Sequence, residues 1–193
     1  MKIVGVGCGP GMLTEEAIRV IRSAILIYGS DRAIEIARRH IPPGCTVKTI
    51  DDFKALQEIP LEAVVLSTGD PMLAGLGYLK GEVVPGISSL QIAAARLHIP
   101  LARIVPVVAH GTGHDQGMND TVMAVSQKKI VFLLADPKFD TVELFRKLLA
   151  LGILLKVAVC EKLGYPDERI AVGTPDSPPR INSGMYSLVI GDF

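Results

Sequence analysis

The chain reads as an α/β protein built of two α/β domains with mainly parallel or mixed sheets. Three observations predict this. Apolar runs of strand length alternate with helical stretches along nearly the whole sequence. Three of those runs end in small, glycine-rich residues: 4–14 (VGVGCGPGMLT), 66–72 (LSTGDPM) and 83–89 (VVPGISS). A parallel sheet gathers such loops at one strand edge, where these folds hold ligands. The one long polar stretch, 110–119 (HGTGHDQGMN), marks a boundary between residues 1–110 and 111–193.

Residues 2–7 are the first strand, apolar enough for burial on both faces. Thr14 caps the next helix, Glu15 and Glu16 suit its positive end, and Ala17, Val20, Ile21 and Ala24 form its inner stripe. Residues 25–28 are the second strand. Ser30 or Asp31 then caps a helix with Ala33, Ile34 and Ala37 inward, stopped at Pro42-Pro43-Gly44. Strands at 46–50 and 63–67 flank a short helix, and strand 82–84, helix 88–97 and strand 104–108 follow. Past the polar stretch come a helix, strand 130–134, helix 139–151 and strand 155–160. Residues 169–172 and 186–190 read as strands of an antiparallel closing hairpin, joined by the turn-rich 175–184.

Composition narrows the function. Basic and acidic residues both number 20, so no net field draws nucleic acid or an anionic membrane. Cys8, Cys45 and Cys160 stand far apart with no CxxC pair, which predicts reduced thiols and neither a disulfide scaffold nor a zinc cluster. The start runs from Met1-Lys2 directly into a strand, and no apolar run approaches bilayer length. A cytoplasmic protein is expected.

The first glycine loop is not a nucleotide fingerprint. Counted from Gly5, a Gly-x-Gly-x-x-Gly pattern needs glycine where Pro10 stands, and no lysine lies between Lys2 and the helix for a P-loop. Gly5, Gly7, Gly9 and Gly11 instead let backbone groups approach a flat ligand. Pro71 biases Asp70 to extended backbone, from which its carboxylate caps the next helix, borders a ligand, or does both. Ser88 and Ser89 carry the same pair of readings. His110 reads as a structural or solvated histidine, Phe132 as core, and 164–168 as a turn.

The order and wording of these segments, together with 161–170 (EKLGYPDERI), resemble the tetrapyrrole methylase family across almost the whole chain. The resemblance implies two α/β domains with the cofactor in the cleft between them, and methyl transfer from S-adenosylmethionine to a macrocycle. Through 161–170 it implies action on C5 of a cobalt-precorrin in cobalamin synthesis. Matched to the family pattern, Cys8, Gly9 and Pro10, then Gly69, Asp70 and Leu73, then Ile87, Ser88 and Ser89 line the cofactor, with Leu134 against its adenine or ribose. His110 and Tyr165 lie on the substrate side. Glu161 and Arg169 either reach substrate or tie the turn to the sheet.

Two departures stand out. Cys8 takes the place of a usual proline in a shorter loop, and Thr112 stands where the family often carries arginine after His-Gly. His114 with Asp115 is a substitute for that missing anchor. The resemblance also implies a homodimer working beside a decarboxylating methylase.

A sulfonium methyl is already a strong electrophile, so the reaction asks for alignment and dryness; orientation alone supplies on the order of 7–11 kcal/mol. No catalytic side chain and no metal is expected. Two alternatives remain. One is a sister enzyme methylating another ring position or the diphthamide precursor; the other is a subunit that binds S-adenosylmethionine or corrinoid without turnover.

Overall fold

The computed structural model describes residues 1–50, 59–111 and 113–193. The short helix expected between the third and fourth strands, and Thr112, lie outside the described residues. The chain divides into two compact units, Met1–Ser89 and Leu90–Phe193.

The first unit contains β1 (Lys2–Gly5), α1 (Glu15–Arg22), β2 (Leu26–Gly29), α2 (Asp31–Ala37), β3 (Thr46–Thr49), β4 (Val64–Ser67), α3 (Pro71–Ala74) and β5 (Glu82–Val84). Its sheet runs β3-β2-β4-β1-β5, and every pairing is parallel. Local chemistry sets the helix starts. Thr14 Oγ1 accepts from the Ala17 amide at 3.1 Å, and Ser30, rather than Asp31, caps α2 by accepting from Ala33 at 3.3 Å.

Alternation along the strands fills both faces. Val4, Leu66 and Val84 pack with Ala17, Ile21 and Ile34 of α1 and α2. Ile3 and Val65 turn the other way, onto Leu76 and Leu79 just after α3. The chain therefore leaves the adjacent strands β1 and β4 toward opposite faces. Their carboxyl ends form the topological switch point, where open α/β sheets take ligands.

The helix α4 (Ser89–Arg96) starts at the division, and the second unit adds β6 (Ile104–Ala109), α5 (His114–Ser126), β7 (Ile130–Ala135), α6 (Thr141–Leu149), β8 (Lys156–Glu161), β9 (Arg169–Gly173) and β10 (Tyr186–Gly191). Its sheet order is β6-β7-β10-β8-β9. β6 and β7 are parallel, while β10 is antiparallel to both β7 and β8, so β6, β7 and β8 all end at one edge.

Three expectations change here. The last two strands are not a hairpin: β10 inserts between β7 and β8, and β9 pairs with β8. Burial explains it, since every residue of β10 is buried and belongs mid-sheet, whereas β9 is half-exposed and takes the edge. The division falls between Ser89 and Leu90, not at 110/111, because β6 pairs along its length with β7. Most of the polar stretch is helical. Gly117 sits inside α5 because a Cβ there would meet Ala109 Cβ at 2.6 Å, so this glycine serves close helix–strand packing and not a loop. No described helix is long and apolar enough to cross a membrane.

Candidate functional site

At the carboxyl edge of the first sheet, the loops after β4, β1 and β5 interlock through backbone. The Gly69 amide donates to the Gly7 carbonyl at 2.8 Å, and the Cys8 amide to that of Ile87 at 3.0 Å. Gly7 and Gly69 take φ of 79° and 71°, a conformation costly for any residue with a side chain. Gly5 and Gly86 are required for a different reason, which is space. A Cβ on Gly86 would lie 2.2 Å from the Gly69 oxygen, and one on Gly5 would lie 2.6 Å from the Gly86 nitrogen.

Asp70 completes the interlock. Its Oδ1 accepts from the Met72 amide at 2.7 Å, capping α3, and its Oδ2 accepts from the Gly86 amide at 3.0 Å. The carboxylate thus ties the β4 loop to the β5 loop. Cys8, Gly9, Pro10, Gly69, Asp70, Ile87 and Ser88 fall on these three loops, with Leu73 in α3 and Ser89 at the start of α4. Residues 7–14, 68–75 and 85–89 contain no lysine or arginine. A phosphate ligand would find no cation among the loops' own residues, whereas a cationic sulfonium compound with a zwitterionic tail needs none, so this donor set suits S-adenosylmethionine.

The corresponding edge of the second sheet is made of side chains. Asp136, just past β7, accepts from the Gly111 amide at 2.8 Å and His114 Nε2 at 2.9 Å through Oδ2, and from the Lys138 amide at 2.8 Å through Oδ1. The His114 hydrogen bond first, then the two amides, holds the Asp136 carboxyl far below the usual carboxylate range. His114 also stands edge-on to Phe139, ring centroids 5.8 Å apart. Of the two residues offered as a substitute anchor, His114 is thus already engaged by the Asp136 carboxylate. His110 directly follows β6 and is exposed. Partial burial of its ring lowers its pKa; Asp136 opposes that shift and His114 adds to it.

Glu161 ends β8 almost fully buried. Its Oε2 takes Arg169 Nη1 at 2.6 Å, and its Oε1 takes the amides of Asn182 and Ser183 at 2.5 and 2.7 Å. Burial pushes its pKa up, but the Arg169 hydrogen bond and the two amides outweigh burial and leave it lowered. Of the two roles open to Glu161 and Arg169, tying the turn to the sheet is the one these bonds make. Glu168 closes the same turn on the Gly164 amide at 2.8 Å and Arg96 at 2.6 Å. Tyr165 is half-buried within that turn, and Leu134 lies on β7 opposite Val108. The second edge thus gathers His110, Tyr165 and the end of β7, while the other predicted positions lie on the first. Among the described residues no three His, Cys, Asp or Glu side chains gather as a metal site.

Asp136 escaped the sequence reading, although its signal was present: like Asp70, it follows a strand and precedes proline.

Residues 2–178 match the family of Tetrapyrrole (Corrin/Porphyrin) Methylases. The chain belongs to the tetrapyrrole methylase family. Among its relatives, a probable cobalt-precorrin-7 C(5)-methyltransferase of Methanocaldococcus jannaschii is 31% identical, across 95% of this chain and 93% of that one. The structure of precorrin-6Y methylase from Archaeoglobus fulgidus superposes with a TM-score of 0.77 at 28% identity, covering 100% of this chain and 97% of the other. A uroporphyrin-III C-methyltransferase from Thermus thermophilus, solved with S-adenosylhomocysteine, shares the fold at a TM-score of 0.68 and 19% identity, covering 99% of this chain and 96% of its own.

Proposed function

We propose that this methylase transfers a methyl group from S-adenosylmethionine to C5 of cobalt-precorrin-7 in cobalamin biosynthesis. The observation that carries the reading is the 31% identity, over 95% of the chain, to a relative named for that reaction. The edge built by β4, β1 and β5 supports it. There Cys8, Gly9, Pro10, Gly69, Asp70, Leu73, Ile87, Ser88 and Ser89 hold the cofactor, mostly through backbone. Leu134 contacts its adenine or ribose, and His110 and Tyr165 face the corrinoid.

When bound, S-adenosylmethionine supplies an electrophilic methyl on sulfur. The chain's own task is to fix positions. Asp70, by holding the amides of Met72 and Gly86 together, keeps two of the three loops in one geometry before ligand arrives. The reading includes a cytoplasmic homodimer working beside a decarboxylating methylase.

Incubation with cobalt-precorrin-7 and S-adenosylmethionine should give a mass gain of one methyl at C5. S-adenosylhomocysteine should raise the melting temperature, because a ligand that selects the folded state stabilises it by mass action, about 2.7 kcal/mol at a hundredfold excess over Kd. NADH and ATP should do much less. Methylation of a different corrinoid in preference to cobalt-precorrin-7 would reassign the position, and single-turnover transfer would exclude a binding-only subunit.

A further inference from the structure

The first sheet's carboxyl edge carries a second hollow beside the glycine loops. An open pocket of ≈ 290 Å³ lies at the ends of β2 and β4, lined by Ser30, Ser67, Thr68, Gly75 and Tyr78 among others. That volume is at the foot of the range for small-molecule sites, about 300–1,000 Å³. A macrocycle of four rings does not fit inside it, but one acidic side chain of such a ring does. The lining is rich in hydroxyls, which donate to carboxylate oxygens. Gly75 shapes the wall: a Cβ there would stand 2.4 Å from Ser67 Oγ.

Arg32 stands at the rim. Its Nη2 donates to Thr68 Oγ1 at 2.9 Å, and its side chain is exposed. Arg38, Arg96, Arg146 and Arg169 each hold a protein carboxylate. Among the described residues Arg32 makes no such pair. Its neighbour Asp31 instead accepts from the Thr49 hydroxyl at 3.2 Å. A guanidinium oriented by a neutral hydroxyl keeps a fork of donors for an incoming carboxylate, the geometry it matches best.

We propose that this pocket receives a peripheral acetate or propionate of the corrinoid, with Arg32 as its anchor and Thr68 positioning the guanidinium. The proposal rests on the corrinoid reading above. It also supplies what Thr112 denies: an arginine for the substrate's carboxylates, located on the first sheet rather than after His110-Gly111.

The test is binding, read by visible absorbance, of cobyrinic acid and of its heptamethyl ester to the wild type, Arg32→Gln, Arg32→Lys and Thr68→Val, with the S-adenosylhomocysteine melting shift as the check of folding. The wild type should prefer the acid. Arg32→Gln should weaken the acid about tenfold or more and leave the ester nearly unchanged. Arg32→Lys, which keeps charge but loses the fork, should fall between, and Thr68→Val should lose less in the same direction. Unchanged acid affinity in Arg32→Gln, or equal losses for acid and ester, overturns the anchor while the corrinoid reading stands. A wild type that binds neither corrinoid, yet still shows the melting shift, overturns the corrinoid reading and the anchor with it.

Discussion

At the edge of the first sheet Asp70 accepts from Met72 and Gly86; at the edge of the second, Asp136 accepts from Lys138 and Gly111. In both units an Asp-Pro follows a strand, caps the amide two residues on, and clasps a glycine amide of another strand's loop: that of β5, beyond β1, for Asp70, and that of the adjacent β6 for Asp136. What surrounds the clasp differs. Around Asp70 it is backbone against backbone, with Gly5 and Gly86 too close for any side chain. Around Asp136 and along its edge it is charge: His114, then Glu161 with Arg169, then Glu168 with Arg96. The first edge is fixed by volume and the second by ionisation, so each should break under a different insult.

The largest expected effect is Gly86→Ala. With a carbonyl oxygen 2.2 Å from the new methyl, the loops after β4 and β5 must separate. The expected loss is about 4 kcal/mol or more, a large part of an ordinary domain's stability, and S-adenosylhomocysteine binding should go with it. Gly111→Ala on the second edge sharpens the contrast. Its φ of 61° strains alanine, but nothing lies within 4 Å of the added carbon, so about 1 kcal/mol is expected. Equal losses in urea melts of the two variants would end the distinction.

Glu161→Ala should cost about 3 kcal/mol, by stranding Arg169 and two loop amides. The figure sits low in the range for a broken buried pair because the Arg169 side chain remains 41% exposed. Acid should act through the same groups. The pKa values of Asp136, Glu161 and Glu168 are all lowered in the folded chain, so the native state binds fewer protons than the unfolded one. Their contribution is complete above the unfolded carboxylate range of about 4 and is lost as pH falls through it toward the folded values. The protection of amides against exchange in β8 and β10 should therefore fall between about pH 5 and 3 more than in β1 and β4. Asp70→Ala, which removes one cap and one clasp, should cost about 0.5–2 kcal/mol and loosen S-adenosylhomocysteine. If affinity holds while stability falls, Asp70 is a clasp alone.

The sequence was most informative where local pattern and tertiary structure agree. The glycine loops, Thr14 and the strand cores stood out because composition and sterics there point the same way. It misled where a residue has one local meaning and another tertiary one. Gly117 stands in the polar boundary stretch yet lies inside α5 against Ala109, and β10 reads as half of a hairpin yet is wholly buried between β7 and β8. The Arg32–Thr68 and His114–Asp136 pairs, 36 and 22 residues apart, are products of the sheet order and no window along the chain contains their logic.

The smallest effect is expected at His110. Its pKa is lowered in the fold, so it is neutral at pH 7, and on exposed ground it contributes little to stability. What stability it does affect falls as pH drops below about 6.5, because the unfolded imidazole takes the proton more readily. His110→Ala should leave the melting temperature nearly unchanged and raise the KM for corrinoid, while the methyl-transfer step survives. A general acid or base would instead contribute about 10²–10⁴-fold to that step. Displacement at a sulfonium needs aligned partners more than a proton acceptor, so the transfer rate should show no pH limb near the histidine range. Rapid-quench turnover with saturating corrinoid separates KM from transfer. If transfer collapses while corrinoid binding holds, His110 does chemistry, and the second edge acts on the substrate through ionisation as well as being held together by it.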